Sequence, residues 1–200
     1  MTSRIRRALT LGAGALALVL TACAAPTADT PPASATSTVA AAHNAADTEF
    51  TQMMIVHHEG AIEMADLAVE KASTPEVTAL AERIKAAQGP EIERMTGWLT
   101  AWGEPTGADT DHGGMDHGGM EMDGMTQAEA MSDLSSRSGT AFDRRFLDLM
   151  TAHHQGAITM AEAVIASGEN EDVVRLARAI VTAQTAEIAE MATLLEGLRP

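Results

Sequence analysis

Between Asn44 and Ala72 the apolar positions recur at helical spacing. Phe50, Met54, His57, His58, Ala61, Ala65 and Ala68 fall within one stripe when the chain is wound at about 100° per residue. The pattern predicts a long helix opened by Asn44 or Asp47. Ser73-Thr74-Pro75-Glu76 then reads as a break and a new start, with Thr74 as N-cap and Pro75 in the first turn. The next helix is expected to run toward Trp102, with Val77, Ala81, Ile84, Gln88, Ile92, Met95 and Leu99 on one face. Gly89-Pro90 falls inside it. Proline removes an interior hydrogen bond and crowds the preceding turn, so a kink is expected there.

Gly103 to Gly124 carries no apolar spacing and cannot build a core. Thr126-Gln127-Ala128-Glu129 has the form of a capping box, which predicts a short helix over about 127–135. Thr140-Ala141-Phe142-Asp143 starts a third long helix ending near Ser167-Gly168. Asn170 caps a fourth, which carries the pattern to about Leu198.

The second pair of helices repeats the first. Sliding residues 47–99 onto 143–195 at a constant offset of 96 leaves 20 of 53 positions identical. In the first helix these are Asp47, Phe50, Met54, His57, His58, Gly60, Ala61, Ile62, Met64 and Ala65. In the second they are Val77, Leu80, Ala81, Ile84, Ala87, Gln88, Glu91, Ile92, Met95 and Leu99. Positions expected to face water differ freely, as Glu63 does from Thr159. A single αα-hairpin cannot bury its stripe, so the two copies are expected to pack as an all-α, ferritin-like four-helix bundle with a long crossover.

The chain ahead of this pattern has a different character. Arg4, Arg6 and Arg7 precede an apolar run from Ala8 to Leu20, shorter than the roughly 20 residues a membrane helix needs. The run ends in Leu20-Thr21-Ala22-Cys23, which looks like the lipobox of bacterial lipoproteins; the plainer alternative is a secretory peptide with a chance cysteine. Cys23 is the only cysteine, so no intramolecular disulfide forms and no other thiolate can serve a metal. On the lipobox reading, 1–22 is a signal peptide. Residues 23–43, rich in Ala, Pro, Thr and Ser, are a disordered lipidated tether, and 44–200 is the bundle domain. The repeats occupy 44–102 and 140–198, with a linker over 103–125. The mature chain is then exported and held on the outer face of the cell membrane by acyl chains.

Net charge is −15, and loss of Arg4, Arg6 and Arg7 with the leader makes it −18. Such a chain is not expected to bind nucleic acid and should be repelled by anionic headgroups. It attracts cations, but without selectivity.

Selectivity needs particular donors. Asp47/Asp143, the two His-His pairs, Gln88/Gln184 and Glu91/Glu187 interrupt the apolar stripes in both copies. A buried carboxylate or imidazole costs several kcal/mol unless it is paired or ligates a metal. Adjacent histidines point about 100° apart, so one of each pair can face the interior while the other reaches a neighbouring helix. Met54 with His58, and Met150 with His154, are i,i+4 pairs able to chelate from one helix face, with Glu91 and Glu187 approaching from the partner helices. A purely structural reading has the histidines bonded to Asp47, Glu91 and their repeat mates, and the methionines filling the core.

The linker favours a metal. Asp111 to Met125 holds His-Gly-Gly-Met twice, supplying His112, Met115, His117, Met120, Met122 and Met125. Thioethers suit Cu(I) and Ag(I), and imidazole adds Cu(II) or another transition metal. Methionine also needs no deprotonation, which suits an oxidising compartment. The plainer alternative is a composition-biased spacer.

The doubled Asp-x-x-Phe-x-x-x-Met-x-x-His-His-x-Gly-Ala-Ile-x-Met-Ala, each copy followed by Gln-x-x-Glu-Ile-x-x-Met, resembles the bacterial domain of unknown function 305 over about 45–198. The resemblance implies a ferritin-like exported protein, in a family with a copper-binding, copper-tolerance member. It carries Met54, His57, His58, Met64, Met150, His153, His154 and Met160 over as expected ligands. Gly89-Pro90, matched by Thr185-Ala186, departs from a plain helix and sets the two half-sites apart. The leading expectation is copper sequestration or transfer, with a metal-delivery partner or homo-oligomer left open. A ferritin-like metal oxidase and a metal-free helical interaction module are the alternatives. Against the oxidase, no Glu-x-x-His spacing surrounds His57 or His153.

Overall fold

The computed structural model describes residues 42–106 and 124–199. The signal-like segment, Cys23, the tether as far as residue 41, and His112, Met115, His117, Met120 and Met122 lie outside the described residues. Five helices make up the rest: α1 (Ala45–Lys71), α2 (Pro75–Trp102), α3 (Gln127–Ser135), α4 (Gly139–Ser167) and α5 (Glu171–Gly197). Among the described residues there is no strand.

The local signals act much as the sequence predicts. Asn44 and Asp47 close a capping box at α1, and Thr126 and Glu129 close another at α3. Asn170 Oδ1 accepts from the N–H groups of Asp172 and Val173 at the start of α5. Thr74 stands at the N-cap position of α2 but its side chain makes no cap bond. Gly103, at φ 75°, ends α2 in the left-handed conformation that glycine adopts without a Cβ penalty. The helix stays continuous through Gly89-Pro90. Ala86, whose carbonyl loses its helical partner to Pro90, is on the exposed face, where water can satisfy it.

Short turns fold α1 along α2 and α4 along α5, and the hairpins meet through α1 and α4. The result is a four-helix bundle with α3 lodged in the crossover. Its apolar interior divides in two. One core joins the first half of α1 (Phe50, Met54) to the second half of α4 (Ala157, Ala161, Val164), with Met95, Leu99 and Ile180. The other joins the second half of α1 (Ala61, Met64, Ala65, Ala68) to the first half of α4 (Phe142, Phe146, Leu147, Met150), with Leu80 and Ile84. First half against second half means that α1 and α4 run antiparallel and cross at their middles. The middles are His57 and His153.

Both hairpin turns are held from the other repeat. Asp143, fully buried at the start of α4, accepts from the Ser73 N–H at 2.8 Å and the Ser73 hydroxyl at 2.7 Å. Asp47, equally buried, accepts through Oδ2 from the N–H groups of Glu169 and Asn170, each at 3.0 Å. The two acids therefore serve the α1–α2 and α4–α5 turns. That differs from the reading in which Asp47 orders a histidine, and the reason is position: Asp47 lies almost three helical turns before His57.

Candidate metal centre

Helical winding puts His57 and His58 on different sides of α1, and the crossing gives each side a different neighbour. His57 faces α4, and its ring centroid lies 3.6 Å from that of His153, with the planes tilted by 41°. The two residues are 2% and 3% exposed. Ala61 and Ala157, one turn further along each helix, are fully buried and give the close approach room. His58 faces its own hairpin partner, with Nε2 2.7 Å from Glu91 Oε2. His154 repeats this with Glu187 Oε2 at 2.6 Å. Each imidazole is fully buried while each carboxylate keeps about a fifth of its surface in solvent.

These contacts leave ring nitrogens over. Nδ1 of His58, His153 and His154 has no hydrogen-bond partner, although all three atoms are buried. Glu91 accepting from Nε2–H leaves the lone pair of a neutral His58 on Nδ1, the orientation that acid–histidine–metal arrangements use. Glu187 does the same for His154. His153 is held well below the ordinary imidazole pKa, first by burial and then by the nearby His57, His154 and His58. It is thus a neutral nitrogen donor at physiological pH. Gln88 and Gln184 are also buried, each with an unpartnered Oε1.

The dihistidine contact is reached from a cleft of about 360 Å³ lined by Val56, His57, Glu59, Gly60, Glu63, Gln127 and His153. Glu59 and Glu63 are exposed at its rim. Gln127 comes from α3, and neither it nor the rim acids stand out in the sequence. Only the crossover brings α3 against α1.

The thioethers are distributed unequally. Met54 and Met150, one turn before His58 and His154, are fully buried, and so is Met64. Met54 belongs to one apolar core, and Met150 and Met64 to the other; Met160 packs partly buried against the first. Met64 and Met160 lie two turns beyond His57 and His153, roughly 10 Å of helical rise. Met125, the last linker thioether, accepts from Arg145 Nη2 at 3.7 Å and packs on the second core. Among the described residues no three His, Cys, Asp or Glu side chains converge as a metal-holding group. The unpartnered donors of the interior are imidazole nitrogens and amide oxygens, with thioethers in the flanking cores. Imidazole and thioether donors suit soft and borderline ions rather than calcium or magnesium.

Comparison with known proteins is consistent with this chemistry. The family model "Domain of unknown function (DUF305)" matches residues 47–195. A DUF305 protein from Streptomyces coelicolor has a crystal structure with 33% identity and a TM-score of 0.69, the match covering 76% of this chain and 92% of that one. A DUF305 fragment from Deinococcus radiodurans is 31% identical with a TM-score of 0.67, covering 76% and 97%. CopM in its Cu(II)-bound form is 32% identical with a TM-score of 0.64, covering 76% and 97%. CopM has also been solved in Cu(I)-bound and Ag-bound forms. No curated protein matches the chain. With a family model spanning most of its length and solved relatives above 30% identity, this chain belongs to the DUF305 family.

Proposed function

We propose that this protein is an extracytoplasmic, lipid-anchored copper-binding protein that sequesters Cu(I) and Cu(II) or hands them on. The observation that carries the reading is the set of buried imidazole nitrogens without partners, two of them on rings tied to acids. Burying such atoms unsatisfied costs about 1–3 kcal/mol each, a cost that a bound ion removes. The copper- and silver-bound CopM structures show soft-ion binding by a relative of similar fold. Copper is cargo here, carried by His57, His58, His153 and His154 with Met54 and Met150, and with Glu91 and Glu187 orienting the inner rings.

His112, Met115, His117, Met120 and Met122 form a capture segment in this scheme. Met125, which follows it in the chain, accepts from Arg145 Nη2, and Gln127 lines the cleft. Cys23 carries the acyl anchor. Export agrees with the description of the Streptomyces relative as a secreted protein.

Competitive titration of the mature chain with Cu(I) against a chromogenic chelator tests the assignment. Tight uptake is expected, and absence of uptake by folded protein would end it. Oxygen consumption during Cu(I) loading would move the protein to an oxidase. Serine at the five linker positions should lower stoichiometry and leave the bundle's own uptake intact. Mass analysis of membrane-extracted protein tests acylation at Cys23.

A further inference from the structure

We propose that Gln127 is the gatekeeping residue of the dihistidine cleft, a latch on α3 that sets how fast solutes reach His57 and His153. The proposal rests on the reading of these histidines as an ion site, and adds the control of access to it.

Gln127 is the first residue of α3 and lines the same cleft as both rings. Its Nε2 donates to the Gly60 carbonyl at 3.1 Å and to Glu63 Oε2 at 2.8 Å. One side chain thus closes across a turn of α1 at the cleft wall. The approach is close: a Cβ on residue 60 would stand 2.9 Å from Gln127 Oε1, so the amide end of the side chain would have to shift.

The element bearing the latch is the shortest helix among the described residues. Helix α3 has nine residues and buries only Ala130 and Leu134, whereas the other helices have 27 or more. A helix this short has little stability of its own. When closed, Gln127 also occupies the Glu63 carboxylate; released, that carboxylate joins Glu59 in attracting a small cation.

Residue-resolved labelling with diethyl pyrocarbonate tests this without any metal. In the full chain, Gln127→Ala and Gly60→Ala should each raise the labelling rate of His57 and His153 about tenfold, the weight of one hydrogen bond to a charged group. Alanine is the better helix former, so Gly60→Ala keeps α1 intact. His43 serves as the partly exposed reference, and His58 and His154 as buried ones. Unchanged rates at His57 and His153, or a uniform rise at all buried histidines, would overturn the latch. Stopped-flow Cu(I) uptake should quicken by a similar factor with equilibrium affinity held. If no variant takes up copper, the ion-site reading fails, and the labelling still decides the latch.

Discussion

Asp143 reaches out of the second repeat to Ser73 in the turn of the first, accepting from both its N–H and its hydroxyl. Asp47 makes the matching reach to Glu169 and Asn170. Each hairpin thereby ties the other's turn, and the two halves are coupled at both ends of the α1–α4 crossing.

Asp143→Ala removes both acceptors and leaves the Ser73 N–H at a part-buried position. The loss should be about 1–3 kcal/mol, with Asp143→Asn costing less because one acceptor remains. For a chain of this size that lowers the melting temperature by roughly 2–10 °C, readable by calorimetry. An unchanged midpoint would show that the cross-repeat tie carries no stability.

Gly168→Ala should destabilise the fold even though its φ is an ordinary −74°. A Cβ there would stand 2.5 Å from Asp47 Oδ1 and 2.9 Å from Val164 Cγ2 and O. Overpacking of this kind costs about 1–3 kcal/mol, against the gain of up to about 1 kcal/mol that Gly→Ala gives at an open site. Gly97→Ala, at an exposed position within α2 with nothing within 4 Å, is the control and should be neutral or stabilising. Denaturant midpoints of the two variants decide it.

Stability of the metal-free protein should fall as the pH drops below about 6.5. His153 has its folded-state pKa pushed well below 6.5, so in that range the unfolded chain binds a proton that the folded chain refuses. Protonation then favours unfolding, by at most about 1.4 kcal/mol per pH unit for this one group. Above the unfolded pKa both states are neutral and the contribution vanishes. His153→Gln should flatten the dependence of melting temperature on pH between 5 and 7.

Glu91→Gln with Glu187→Gln should weaken Cu(I) binding about 10- to 100-fold while the helices remain. The amide keeps the size of the carboxylate but no longer fixes which ring nitrogen carries the proton. His57→Ala with His153→Ala should weaken it as well. If chelator competition finds wild-type affinity in both double variants, the ions bind elsewhere on the chain.

The helices and their turns were legible in the sequence because their causes are local. Apolar spacing, the Asn44 and Thr126 capping boxes and Asn170 each act within a few residues, and α3 falls on the predicted 127–135. Helix α2 is continuous through Pro90, and Ala86, whose carbonyl loses its partner there, stands at an exposed position that the residue types do not disclose.

The offset of 96 likewise announced two equivalent hairpins carrying equivalent histidines. Winding alone places His57 and His58 on different sides of α1. It does not say which side meets α4, since that depends on the angle and level at which two helices cross. Tertiary packing decided that His57 meets His153 and that His58 turns to Glu91. The same packing set Asp47 and Asp143 on the opposite repeat's turns, and brought Gln127 into the cleft lining against Gly60, 67 residues away. Periodicity records what one helix buries; only the crossing of two helices chooses the partner.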